Sequence, residues 1–214
     1  MSDPKQASHS GTRRDLLIAG GVTVIALGSS AVGQPARPAA STPLYRTTVD
    51  QMIAGWKSKP QEVARAMLAK YGLPEEATPM RLIWHHTGPW KRTEVVNEEI
   101  PHNFPRPHTD MLLQAIDYPV PPEKFDELAE FDGSVIAERT KGELAARCDM
   151  EEANFLALNL AHDIVTEVRS VAQARQFYAE VIRERRPAEY LQGLRFQVPR
   201  TAQGDPDRQL MASR

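Results

Sequence analysis

The chain has 214 residues, of which 41% are hydrophobic and 25% are charged, a composition typical of a soluble globular protein. Twenty-six basic and 28 acidic residues give a formal net charge of −2, which excludes the overall positive charge typical of nucleic-acid-binding proteins. A single cysteine, Cys148, excludes an internal disulfide, so a hydrophobic core must stabilise the fold.

Residues 1–33 have the layout of an export signal, because a polar start with Arg13 and Arg14 precedes an apolar run over residues 16–27. Residues 12–18 resemble the twin-arginine consensus Ser/Thr-Arg-Arg-x-Phe-Leu-Lys, with leucine replacing the phenylalanine and isoleucine replacing the lysine. This resemblance implies recognition by the Tat translocation machinery and a periplasmic or otherwise exported protein. It also implies export of a domain that has already folded, often around a cofactor.

Small residues at Ala31 and Gly33 suit signal cleavage, which would leave no membrane span in the mature chain. The alternative is an uncleaved anchor that makes the protein a membrane-tethered accessory subunit, but the apolar run is shorter than the ~20 residues of a typical span. Residues 34–57, rich in proline and alanine at their start, are predicted to form a linker and N-terminal extension.

The patterns in residues 58–187 predict one α+β domain whose elements follow the order α-ββ-β-α-ββ-α-α. Its antiparallel sheet is expected to have about five strands, built from two hairpins and a single strand and packed by helices. Ser58, Asp149 and Ser170 are the predicted helix N-caps, and Gly72 is a predicted helix stop. The helices are predicted over residues 58–72, 122–132, 149–168 and 170–182, and the strands over residues 82–84, 90–96, 111–118, 135–139 and 144–148. Residues 188–214 are polar and are predicted to form a loosely ordered tail.

The region between Trp84 and Asp110 contains four of the six histidines, which are His85, His86, His102 and His108. Imidazoles with a carboxylate from Asp110, Glu98 or Glu99 can bind zinc or copper. Prolines over residues 100–108 predict a loop that would carry two of these histidines back across the first hairpin. The spacings match no established ligand motif, and adjacent strand residues point to opposite faces. Exposed loop histidines are therefore the alternative.

A second candidate surface combines aromatic and basic side chains around the same hairpin. Its members are Trp84, Trp90, Lys91, Arg92, Phe104 and Tyr118. Aromatic walls with a few polar groups are typical of ligand pockets, and the two cations suit an anionic ligand or a partner's carboxylate. Core packing of the aromatic residues and a solvated, charged strand edge are the alternatives.

No catalytic residue is assigned from the sequence. It contains no nucleophile elbow, Walker A, dinucleotide-binding, haem-attachment or EF-hand motif. Cys148 is predicted to be a buried, inert thiol, and His162 is predicted to be a packing residue on the longest apolar helix.

Residues 71–74, 82–84 and 88–92 are similar to stretches of small bacterial exported proteins whose function is unassigned. The resemblance implies neither an activity nor a site. The sequence therefore favours an exported, non-catalytic α+β protein that binds a periplasmic partner or a small ligand. The alternative hypothesis is a metal-binding periplasmic protein or metalloenzyme that uses the histidines of residues 84–110.

Overall fold

The protein folds around an antiparallel sheet of six strands in the spatial order β1-β2-β3-β4-β6-β5. A computed structural model describes residues 43–198 and 203–211. The strands are β1 (Glu76–Thr78), β2 (Arg81–Thr87), β3 (Trp90–His102), β4 (His108–Asp117), β5 (Val135–Glu138) and β6 (Glu143–Cys148). The predicted α+β class and the two hairpins are confirmed, and the short β1 is the additional strand. The predicted export signal lies outside the described residues.

Six α-helices accompany the sheet in this part of the chain. They are α1 (Pro43–Ala54), α2 (Ser58–Tyr71), α3 (Phe125–Phe131), α4 (Glu151–Val165), α5 (Val171–Glu184) and α6 (Glu189–Gln192), with a 3-10 turn over Pro122–Lys124 before α3. None of these described helices has the length and apolarity needed to cross a membrane.

The helix ends follow the sequence signals in part. The Ser170 hydroxyl and the Gln173 side chain form a reciprocal capping box at the start of α5, as predicted. Gly72 ends α2 with a positive φ of 81°, which glycine adopts without strain. The predicted caps at Ser58 and Asp149 are wrong, because these helices begin after Lys57 and Met150 and neither has a side-chain cap bond.

Two apolar clusters fill the space between the sheet and the helices. One joins α1 and α2 to β2, β3 and β4, and its buried members include Ile53, Met67, Leu82, Trp84 and Leu112. The other joins α3, α4 and α5 to β4, β5 and β6, and its buried members include Ile116, Phe131, Leu144, Leu156 and Val181. The helix α4 is buried over most of its surface, which explains its nearly continuous apolar sequence.

A bulge in β3 sets how the end of this strand pairs with the start of β4. The register with β4 shifts between Val95 and Ile100, after which Ile100 pairs with Asp110 and His102 pairs with His108. The prediction of a loop over all of residues 100–108 is wrong, since both ends of that segment are strand. The last β2 partner on β3 is Val96, and no described strand pairs with that side of residues 100–102, where proline is therefore tolerated.

Helices occur in two segments where the sequence analysis placed none. In residues 34–57, α1 buries Val49 and Ile53, and in residues 188–214, α6 buries Tyr190 and Leu191. The four-residue α6 is too short to give a helical stripe in the sequence, but α1 does carry one, in the i, i+4, i+7, i+8 spacing of Tyr45, Val49, Met52 and Ile53. Short helices of this kind depend on tertiary packing for their stability.

Candidate metal centre

The strand register brings His102, His108 and Asp110 together at the end of the β3–β4 hairpin. His102 is paired directly with His108, and paired residues of an antiparallel sheet share a face. Asp110 lies two residues beyond His108 on β4, so it projects from that face as well. Two adjacent strands therefore present two imidazoles and a carboxylate from one small area.

The distances make this a possible metal-binding cluster. His102 Nδ1 lies 3.2 Å from Asp110 Oδ2, and His108 Nε2 lies 3.0 Å from Asp110 Oδ1. One ligand atom from each residue lies within 4.8 Å of the other two. The Asp110 side chain is only 4% exposed, whereas the histidine side chains are 18% and 15% exposed. The carboxylate thus forms the floor of the cluster and the imidazoles form its rim.

Two buried atoms of the cluster make no hydrogen bond within the described part of the chain, namely Asp110 Oδ1 and His102 Nδ1. Their neighbours are close but poorly aligned for hydrogen bonding. A buried polar atom without a partner costs about 1–3 kcal/mol, and native structures contain few of them. A cation between the two side chains would satisfy both atoms.

Outer contacts orient the two imidazole rings. His108 Nδ1 lies 2.8 Å from the Arg106 carbonyl oxygen, which can only accept, so Nδ1 donates and Nε2 faces Asp110. On the other ring, His102 Nε2 lies 3.4 Å from Asp132 Oδ1, and a nearby carboxylate favours a proton on that nitrogen. Outer partners of this kind commonly hold metal-binding histidines in the correct tautomer.

Charged groups and burial in the cluster shift the pKa values of His108 and Asp132, and these pKa values decide which protons a metal must displace. The Asp110 carboxylate is the main cause that raises the pKa of His108 to about 11, and the contact with Cys148 acts in the same direction. Burial raises the pKa of Asp132, although Ser134 opposes this by donating its backbone N–H and its hydroxyl to Oδ1. With no ion bound, His108 therefore holds a proton at neutral pH, and an ion must displace it.

A small cavity of about 40 Å³ borders the cluster, and its walls include His108, Cys148, Met150 and Tyr178. This space holds no more than a few water molecules. The Cys148 sulfur lies 3.5 Å from His108 Nε2 and burial raises the pKa of its thiol. The cavity itself is too small for an organic substrate, but it can hold water or an ion.

The other two predicted ligands lie elsewhere in the sheet. His85 pairs with Arg92 of β3 and contacts Glu76 through its Nε2 at 2.6 Å. At ~3.3 Å per strand residue, Arg92 and His102 are roughly 30 Å apart along β3. His86 is exposed and adopts a positive φ of 52°. The structure thus brings together three of the five residues predicted as ligands and separates the two histidines of β2.

The predicted aromatic and basic surface does not form one continuous patch. Trp84 and Trp90 are buried in the two separate core clusters. The Tyr118 hydroxyl forms a 2.8 Å hydrogen bond with His162 Nδ1, and burial raises the pKa of this hydroxyl to about 12. Partner or small-ligand binding by this set stays a prediction.

The remaining members of this set make contacts of their own. Lys91 bonds Asp117 at 2.7 Å, and Arg92 contacts the buried Glu143 at 3.3 Å. Phe104 packs on Tyr178, with ring centroids 5.0 Å apart. Each of these side chains therefore has a structural partner in the described part of the chain.

Asp132 and Cys148 are the site residues that the sequence analysis did not assign. Asp132 stands at the end of α3, where Asp-Gly indicated only a helix stop, and Cys148 ends β6. Their distance from the histidines along the chain offered no spacing signal. β6 is buried on both faces, so no alternation in its sequence could have pointed to Cys148.

Comparison with known proteins adds no template for this site, since no protein-family model, curated protein or solved structure matches the chain. Any functional assignment therefore rests on the arrangement of its own residues.

Proposed function

We propose that this protein binds a divalent transition-metal ion, with zinc as the reference case, through His102, His108 and Asp110. The observation that carries the proposal is the buried Asp110 carboxylate, which faces two imidazoles while Oδ1 lacks a hydrogen bond among the described residues. Buried charges are ordinarily paired with good hydrogen bonds or coordinate metals. Here the imidazoles lie 3.0 and 3.2 Å from the carboxylate, and neither Oδ1 nor His102 Nδ1 has a well-aligned hydrogen bond among the described residues.

The spacing of the ligand atoms supports the same proposal. Two ligands bound at about 2.0–2.1 Å to a tetrahedral ion lie about 3.3 Å apart. The two separations between Asp110 and the histidine nitrogens are 3.2 and 3.0 Å. The histidine nitrogens lie within 4.8 Å of each other, and rotation of the rings can close the rest. The backbone therefore needs little movement to accept an ion.

The ligand chemistry selects among metals. Two imidazoles with one carboxylate suit zinc, iron, cobalt or copper, whereas magnesium and calcium prefer sites made of oxygen ligands. Three protein ligands leave a fourth position for water, a substrate or another side chain. The occupant of that position decides whether such a site only holds its metal or activates water on it.

Thermal unfolding with and without zinc tests the proposal. A ligand at 100 times its dissociation constant stabilises the folded state by about 2.7 kcal/mol, which corresponds to roughly 5–10 °C for a domain of this size. We expect this shift in the wild-type protein and its loss in His102→Ala and Asp110→Ala. The matched control is His86→Asn, since His86 is exposed and asparagine tolerates its positive φ.

Two outcomes would contradict the proposal. Zinc could leave the unfolding temperature of the wild-type protein unchanged, or it could stabilise His102→Ala as strongly as the wild type. Elemental analysis of the purified wild type gives a second readout, with about one equivalent of metal expected and none in Asp110→Ala.

We also propose that the chain is exported by the twin-arginine pathway, and the support is the sequence around Arg13 and Arg14. Export of a folded domain would allow a metal to be inserted before the membrane is crossed. Replacing both arginines with lysine should retain the protein in the cytoplasmic fraction. Unchanged secretion of that variant would contradict the proposal.

A further inference from the structure

The fourth position of the proposed metal site has a candidate ligand in Cys148, which the sequence analysis treated as an inert thiol. Cys148 pairs with Leu112 of β4, and Leu112 lies two residues from Asp110. Paired residues share a face, and so do alternate residues of one strand. Cys148 therefore projects from the same face as Asp110 and the two histidines.

The sulfur is within reach of the cluster. Cys148 Sγ lies 3.5 Å from His108 Nε2, and the residue is only 7% exposed. A tetrahedral ion with a nitrogen at about 2.0 Å and a sulfur at about 2.3 Å holds those two atoms about 3.5 Å apart. The observed separation thus matches that expected for two ligands of one ion. The thiol also donates a hydrogen bond to Asp149 Oδ1 at 3.5 Å, which loss of its proton to a metal would remove.

A buried oxygen without a hydrogen bond among the described residues is the second observation that points to a metal here. Asp110 is 4% exposed, and its Oδ1, which makes no hydrogen bond in the described chain, is the oxygen nearest His108 Nε2. The same nitrogen is the one nearest to the sulfur. An ion held by His108 therefore has the carboxylate and the thiol as neighbours at ligand distances.

We propose that Cys148 is the fourth ligand and binds the metal as a thiolate, an inference that rests on the proposed function. The step exchanges protons for a metal: the S–H bond of Cys148 and the Nε2–H bond of His108 break, bonds from the metal to sulfur and nitrogen form, both protons go to solvent, and no electrons are transferred. Four protein ligands from β3, β4 and β6 close the coordination sphere. Such a site holds its ion firmly and leaves no metal-bound water for hydrolysis.

A thiolate also sets the class of metal. Sulfur ligands favour thiophilic ions such as zinc, cobalt or cuprous copper and disfavour magnesium and calcium. The bound metal shields the sulfur, so loading the site should protect Cys148 from oxidation. Metal loss and thiol oxidation are then linked through one side chain.

Cobalt(II) added to the purified full chain tests the inference. The wild type and His86→Asn should develop the intense thiolate-to-cobalt charge-transfer absorption. Cys148→Ser should lack that absorption while still binding cobalt through the remaining ligands, with an affinity at least about tenfold weaker, since even loss of an outer-shell partner commonly has an effect of that size.

X-ray absorption of the zinc-loaded wild type needs no variant and keeps the inference testable if Cys148→Ser fails to fold. One sulfur at about 2.3 Å from zinc is expected. Zinc bound only by nitrogen and oxygen would overturn the role of Cys148 and leave the proposed function standing. A wild-type chain that binds neither zinc nor cobalt would overturn both.

Discussion

The indole Nε1 of Trp90 donates a 2.7 Å hydrogen bond to Oε1 of Glu151, the first residue of α4. The same carboxylate accepts a 2.9 Å bond from Gln114 of β4 and bonds from Lys70 and Tyr71 of α2. Burial opposes ionisation of Glu151, but these hydrogen bonds outweigh it, so its pKa is lowered. One buried carboxylate thus connects α2, the centre of the sheet and α4.

Replacing Glu151 with glutamine should destabilise the fold. The substitution removes the charge and turns an amide N–H₂ toward groups that donate, which leaves buried donors unpaired. We expect a loss of about 2–4 kcal/mol in the free energy of unfolding. Urea denaturation measures it, and Glu152→Gln, at the exposed neighbouring position, is the matched control. Equal effects of the two substitutions would show that the buried network contributes little.

The acid dependence of stability should change in the same variant. Glu151 has a folded-state pKa below its ordinary value of 4.5, so its contribution is fully present above pH 4.5. That contribution disappears as the pH falls below 4.5 and through the lower pKa of the folded state. Wild type should therefore lose more stability than Glu151→Gln across this window. Parallel curves of unfolding free energy against pH would contradict the assignment.

The outer contact of the metal site gives a separate prediction. Asp132 lies 3.4 Å from His102 Nε2, and Asp132→Asn should weaken the preference for a proton on that nitrogen. Metal sites commonly lose about 10–100-fold in affinity on such changes, so we expect zinc binding to weaken by this factor. Competition with a zinc-responsive dye measures the affinity. Glu130→Gln, an exposed substitution on the same helix, should bind zinc like the wild type.

Asn159 should anchor the segment that follows α5. Its Nδ2 donates to the carbonyl oxygens of Tyr190 at 3.2 Å and Gly193 at 2.9 Å, and its Oδ1 accepts from the Arg195 backbone N–H at 2.7 Å. Asn159→Ala should lower the unfolding free energy by about 1–3 kcal/mol. Amides of residues 190–195 should then exchange faster with solvent, while Gln192→Ala, at an exposed position, should leave that rate unchanged. Unaltered exchange in Asn159→Ala would show that other contacts hold the segment.

The fold class was predictable because it depends on local periodicity. The apolar stripe of α4 is confirmed, and so is the capping box of Ser170 and Gln173. Such patterns bury one face of an element, and they need no knowledge of which other element covers it. The helix α1 was not predicted, because the proline- and alanine-rich residues before it indicated a linker, although its own apolar residues have helical spacing.

The candidate site was predictable only as a group of residue types. Histidines and Asp110 marked the region between Trp84 and Asp110, but the sequence offered no reason to separate His85 from His102. The register between β3 and β4 beyond the bulge pairs His102 with His108. His85 lies on β2 and pairs with Arg92, far from this end of β3.

What the sequence by itself determined is the fold class and most of the longer helices and strands, because these follow from spacing along the chain. Only the tertiary structure decided that Asp132 and Cys148 lie beside the histidines. It also decided that Glu151 accepts a hydrogen bond from Trp90. Those contacts join residues distant in the chain. They depend on strand order, register and helix packing, which no local pattern encodes.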